Sequence, residues 1–143
     1  MKYFSIVLLA AIAMGACKNN KTKIPVKDAA TDTANFTKVQ WLDSALNFGE
    51  IDKGKTVTVK FRCKNTGDKP LIIVSAQPGC GCTVADYTKT PIAPNNEGEV
   101  TAIFDSNKVG TIGEVHKSIF VTTNSLNGYT TLFFSGTIKE VKK

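Results

Sequence analysis

Cys80-Gly81-Cys82 holds the residues of this chain whose type and spacing are best suited to chemistry. If the segment runs as a strand, both sulfurs point to one face, because the side-chain period is two. Three chemistries fit. The pair can be structural, as thiols or as a disulfide fixing a turn, with Gly81 supplying unusual dihedrals. It can offer two thiolates to a soft ion such as Cu(I) or Zn(II), with Cys63 and His116 as the only further candidate ligands. It can exchange disulfides with a partner thiol, since a Cys-x-Cys bridge closes a small, reducible ring. The thioredoxin spacing, Cys-x-x-Cys, is absent. Cys63 reads as a small core hydrophobe; its alternative is a bridge to Cys80 or Cys82, which needs Cα atoms within about 7 Å.

Enzymes of the common hydrolytic classes are not expected. His116 is the one histidine, and it lies between Glu114 and Lys117 at a strand start, so it reads as an exposed or edge residue rather than a triad member. Asp43, Glu50, Asp52, Asp86, Glu97, Glu99 and Asp105 are scattered through loops and strand ends. Neither a Gly-rich phosphate loop nor a zinc-protease motif occurs. No cofactor and no small-molecule substrate are implied.

The fourth cysteine has different surroundings. Met1-Lys2 is a short positive segment, Tyr3 to Ala13 an apolar run, and Met14-Gly15-Ala16-Cys17 follows. The apolar run is too short to span a bilayer, which takes roughly 20 residues. It fits the core of a secretion signal. The ending resembles a lipobox, which implies a signal peptide over 1–16 and a diacylglyceryl thioether on Cys17. An apolar anchor of two or three acyl chains holds a protein on a membrane, at about 0.8 kcal/mol per buried methylene. Lys18 follows Cys17, and by known sorting rules this favours the outer membrane of a diderm cell. Lys18-Asn19-Asn20-Lys21 lacks the acidic pair used for surface export. The periplasmic face of the cell envelope is therefore the expected location.

With 143 residues the chain is one domain's worth. Hydrophobic residues make up 42% and charged residues 21%, a globular balance. The net charge of +6 is nearly all lysine. No arginine cluster with interleaved aromatics is present, so nucleic acid is not an expected partner. Anionic head groups are a better match for basic residues near a membrane anchor. Lys18 to Thr37 has Ile24, Val26 and Phe36 as its only large apolar side chains and shows no periodicity. Residues 17–37 are accordingly read as a lipidated cysteine and a flexible linker.

Residues 38–143 carry short alternating runs broken by turn residues, an all-β signature. Val39 and Trp41 alternate, as do Leu46 and Phe48, which Gly49 closes. Val57, Val59, Phe61 and Cys63 share a face. Asn65-Thr66-Gly67-Asp68 reads as a turn in which Asn and Gly tolerate positive φ. Pro70 opens the apolar run Leu71 to Val74, expected of a strand covered on both sides. Val100, Ala102 and Phe104 form a further row, then Ile119 and Val121, then Leu132, Phe134, Gly136 and Ile138. About seven strands at this spacing predict an immunoglobulin-like β-sandwich, with a small barrel as the alternative. Trp41 suits either an inter-sheet anchor or an edge position.

Ordered segments from Phe48-Gly49 to Gly136 resemble the bacterial family called domain of unknown function 1573. They are Phe48-Gly49-Glu50-Ile51 with Gly54, Val59 through Gly67, Pro70-Leu71-Ile72-Ile73, Cys80-Gly81-Cys82-Thr83, Pro91-Ile92-Ala93-Pro94, Val100 to Phe104, Thr123-Asn124, and Leu132 to Gly136. Two positions depart from the pattern: Asn95 stands where Gly is usual, and Cys63 where a larger apolar residue is common. The resemblance implies an Ig-like sandwich, akin to ciliary and major-sperm-protein-type modules, on an envelope protein. It implies no activity. The expectation is a non-enzymatic, lipid-anchored envelope protein that binds a protein partner, with a thiol-based metal or redox protein using Cys80 and Cys82 as the alternative.

Overall fold

The computed structural model describes residues 33–141. The expected signal peptide, Cys17 and linker residues 18–32 lie outside the described residues. Eight strands follow one another: β1 (Val39–Trp41), β2 (Ala45–Asp52), β3 (Thr56–Asn65), β4 (Ile73–Pro78), β5 (Thr83–Tyr87), β6 (Glu97–Asp105), β7 (Gly113–Thr123) and β8 (Tyr129–Lys139). They form two four-stranded sheets, β1-β3-β6-β5 and β2-β8-β7-β4. All pairings are antiparallel except β2 with β8, which is parallel. Two separate sheets make this a sandwich and rule out the barrel alternative.

The inward rows read from the sequence meet between the sheets. Phe61, Val100 and Phe104 of the first sheet and Ile119, Leu132 and Ile138 of the second are fully buried. Cys63 is buried beside them as a free thiol. Burying such side chains, at about 25 cal/mol per Å² of apolar surface, is the main force holding the layers together.

Aromatic packing seals one side. Phe48 of β2 reaches inward and stacks on Phe104 of the opposite sheet at 5.7 Å between centroids. It also meets Phe134 of its own sheet at 6.3 Å. The ring lies where a side chain at position 136 would be: a Cβ on Gly136 would sit 2.2 Å from the Phe48 ring. The β2–β8 register shifts between Asn47 and Glu50, a bulge in which Gly49 takes φ +78°. That dihedral belongs to glycine, and the Gly49 N–H is satisfied by the Asn47 side-chain oxygen.

Several expectations change in detail. The eighth strand is β5, absent from the sequence reading because its large aliphatic residue, Val84, faces solvent at 57% exposure. Leu71 to Ile73 are buried as expected, but β4 is an edge strand. The run is covered because it passes between the layers, where Leu71 bridges Ile92. Trp41 takes the edge alternative, on β1 opposite Cys63.

Asn65 is not a positive-φ turn residue. Its fully buried side chain accepts from the Thr37 hydroxyl at 2.9 Å and the Gly67 N–H at 3.1 Å. It donates to the carbonyls of Lys69 at 2.7 Å and Ile92 at 2.9 Å. The positive φ falls instead on Asn95, at +66°, which explains why glycine suits that position and why asparagine can replace it. The sandwich also takes in residues before 38. Thr37 is buried and bridges Ser125, and Asn124 binds the Asn35 carbonyl. Asn35 and Thr37, within the expected linker, are thus tied to the sandwich by hydrogen bonds.

Gly136→Ala should cost about 1–3 kcal/mol of stability through overpacking against Phe48. In a Phe48→Ala background the same change should cost at least ~1 kcal/mol less, since the methyl then enters vacated space. Urea unfolding of the four chains measures both numbers.

Candidate functional site

The Cys-Gly-Cys turn carries the chain from one sheet to the other. β4 ends at Pro78, and Gly79 donates its N–H to the Ser118 carbonyl at 2.9 Å. Thr83, which opens β5, donates back to the Cys80 carbonyl at 3.3 Å. Within this turn Cys80 and Cys82 form a disulfide, with Cα atoms 5.3 Å apart. The two sulfurs are not equivalent. Cys82 is 6% exposed and belongs to the core, while Cys80 is half-buried. The Thr83 hydroxyl lies 3.6 Å from the Cys80 sulfur and 3.8 Å from that of Cys82.

Cys63 is not part of this bridge. Burial pushes its thiol up to about 11 from an ordinary 9.0, so it is a neutral core side chain, as its inward parity implied. An oxidised Cys80–Cys82 pair has no thiolates to give a metal. Among the described residues no three His, Cys, Asp or Glu side chains are grouped to hold one.

Cys80 opens into a recess of about 250 Å³ whose walls include His116, Lys117, Ser118 and Phe133. A second groove, of about 380 Å³, shares His116, Lys117 and Phe133 and extends to β2 at Ala45 and Asn47. His116 is an exposed residue, as expected, with its Nε2 3.2 Å from Glu114. Lys117 has the inward parity of Val115 and Ile119 but is only half-buried, because β4 stops short of it: the β4–β7 ladder ends at Pro78 opposite Ile119. Among the described residues no strand pairs with Gly113–Lys117 of β7 on that side.

The outer face next to this recess is aromatic. Phe120, Tyr129 and Phe133 are 38%, 63% and 54% exposed. Phe120 and Tyr129 stack at 6.2 Å, and Phe133 pairs across the ladder with Ser118. The outer face of the first sheet carries the aliphatic pair Val84 and Ile103, 57% and 44% exposed, beside ion pairs. There Lys60 pairs with Glu99 at 3.1 Å and Arg62 with Asp43 at 2.8 Å. The Arg62 guanidinium, by its hydrogen bond, holds the Asp43 carboxyl below its usual value. The sequence contained the signal for the aromatic face. Phe120 and Phe133 fall on the outward parity of strands whose inward rows are already filled, and a large aromatic in that position needs another reason.

A larger recess, of about 890 Å³, lies where the chain enters the sandwich, between Thr37-Lys38, Thr66-Gly67-Asp68 and Pro94-Asn95. It is walled by turns and contains none of the cysteines or His116. It explains none of the site residues.

Residues 39–138 match the model of a protein family of unknown function, DUF1573. The chain belongs to this DUF1573 family. No curated protein sequence matches it. Among solved structures, a protein of unknown function from Porphyromonas gingivalis W83 aligns at 17% identity with a TM-score of 0.65, over 73% of this chain and 48% of that one. The present chain therefore spans about half the length of that protein. The ASH/PapD-like domain 7 of human CEP192 aligns at 13% identity and TM-score 0.56, over 99% of this chain and 100% of that one. The protease VesB of Vibrio cholerae aligns at 14% identity and TM-score 0.52, over 79% of this chain but 34% of that one. These likenesses establish a PapD-like, Ig-like sandwich for this DUF1573 member, and the fold alone.

Cys63 makes stability pH-dependent. Its folded thiol keeps a proton that the unfolded chain loses, so the native state binds more protons between pH 9 and 11 and its stability falls as pH rises through that range. The wild type should lose roughly 2–3 kcal/mol across this window relative to Cys63→Ala. Urea unfolding of both chains at pH 8 and at about pH 11 checks the difference.

Proposed function

We propose that this DUF1573 protein is a non-enzymatic, lipid-anchored protein of the bacterial cell envelope whose sandwich holds a partner protein. The observation that carries the reading is the solvent-facing strip of Phe120, Tyr129 and Phe133 on the β2-β8-β7-β4 sheet. Exposed aromatic clusters are costly in water, and they are the side chains that dominate protein interfaces. The unpaired half of β7 beside them offers backbone groups to an extended segment of a partner. The ion-paired outer face of the first sheet makes a poorer interface core, since burying its charges requires desolvation.

The anchor follows from the Met14-Gly15-Ala16-Cys17 motif and the length of the apolar run before it. The diacylglyceryl thioether on Cys17 holds the chain at the outer membrane, facing the periplasm. The segment after Cys17 gives the sandwich reach to its partner. The PapD-like fold is compatible with this role, and no group of residues described above forms a catalytic set.

A photoreactive amino acid at position 133 should form a defined protein adduct in living cells, whereas the same probe at Lys60 should form none. Equal adducts from both faces would contradict the assignment of the docking face. Labelled palmitate should appear on the wild-type chain and disappear with Cys17→Ser. A label that survives the substitution removes the anchor.

A further inference from the structure

The disulfide has little structural work to do. A crosslink stabilises a fold chiefly by shortening the open chain, and the effect grows with the size of the loop closed. The Cys80–Cys82 loop has a sequence separation of only 2. Hydrogen bonds from Gly79 N to Ser118 O, from Thr83 N to Cys80 O and from Asp105 N to Cys82 O already fix the turn between the sheets. The bridge does not itself join the sheets, and Cys63 takes no part in it.

Its surroundings suit a reaction instead. Cys80 lines the open recess while Cys82 lies in the core, so an incoming thiolate reaches one sulfur and expels the other. His116 and Lys117 stand on the walls of that recess, and no carboxylate lines it. Glu114, the acid closest in sequence, is paired with His116. The Lys117 ammonium favours thiolates, both attacking and leaving. The Thr83 hydroxyl, near both sulfurs, can donate a hydrogen bond to whichever becomes a thiolate.

We propose that Cys80–Cys82 is an exchangeable disulfide that takes two electrons from a cysteine pair in the docked partner. The inference rests on the docking face proposed above, since Phe133 belongs both to that face and to the recess. A partner thiolate attacks the Cys80 sulfur; a partner–Cys80 bond forms, the Cys80–Cys82 bond breaks, and Cys82 leaves as a thiolate that takes up a proton. The partner's second thiolate then attacks its own bridged sulfur and releases Cys80, which is protonated in turn. The partner dithiol becomes a disulfide, and two electrons and two protons pass to the Cys80–Cys82 pair. One chain oxidises one dithiol, as a reagent rather than a catalyst.

Reduced glutathione tests the site without needing the partner. The full-length oxidised chain, in detergent, is treated with glutathione, quenched with an alkylating agent and mapped by peptide mass. The expected result is bridge opening at least tenfold faster than in an oxidised seven-residue peptide of sequence 78–84, with glutathione on Cys80 and the alkylating agent on Cys82 in the trapped mixed disulfide of the wild-type chain. His116→Gln with Lys117→Met should remove most of the acceleration. Opening at the peptide's rate or slower, a trapped mixed disulfide on Cys82 as abundant as that on Cys80, or an unchanged rate in the double variant would each overturn the proposal. Phe120→Asp should keep the glutathione rate. A chain that exchanges normally but docks nothing would sink the docking face and leave the exchange site standing.

Discussion

The Phe48 ring lies against the bare backbone of Gly136, and much of the molecule follows from that contact. β2 is an edge strand held in parallel to β8, and it would offer its free side to other chains if it were loosely attached. Instead its bulge turns Phe48 inward to touch Phe134 below and Phe104 across the core. The insertion is possible only because position 136 has no side chain. The contact also fixes the parity of β8. With Leu132, Phe134, Gly136 and Ile138 inward, Phe133 and Tyr129 must face solvent. Packing in the core thus decides that Tyr129 and Phe133 face outward, on the face the functional reading depends on.

The two ends of the sandwich are built on different principles. At the entry end, two buried amides replace apolar contacts. Asn65 joins residue 37 to the turns after β3 and before β6, and Asn124 accepts from Ile72 while donating to the carbonyls of Asn35 and Pro70. Each is saturated or nearly so, which is the condition under which a buried amide adds specificity rather than cost. At the other end, β4 stops early and the chain crosses between sheets through the disulfide-bearing turn. That early stop leaves the start of β7 unpaired and leaves Lys117, on an inward parity, beside the recess. The entry end receives the segment that leads back toward Cys17. The open end holds the disulfide and its recess.

The sequence made most of the core legible, because a period of two is readable wherever one face of a strand is apolar. The rows through Val59–Cys63, Val100–Phe104 and Leu132–Ile138 needed no structure. β5 escaped the same logic because an edge strand need not carry its aliphatic residue inward, and Val84 does not. Asn65 illustrates a second limit. Its residue type suits a turn by local rules, but two of its four hydrogen bonds run to Thr37 and to the Ile92 carbonyl, distant in sequence, and nothing local announces those. The Cys80–Cys82 pairing depended on which of three sulfurs meet, a question of distance. The recess depended on where β4 ends relative to β7, a question of register. Asn95, by contrast, was visible as a departure from the family pattern before its dihedral gave the reason.

The central claim is a geometric one: the Phe48 ring covers Gly136, sealing β2 and fixing which side chains of β8 face outward. Nuclear magnetic resonance reads that contact directly. The Gly136 α-proton that occupies the place of a side chain points at the ring, so it should be displaced well upfield by the ring current and return to the ordinary glycine range in Phe48→Leu. A Gly136 α-proton already in the ordinary range in the wild type would contradict the account.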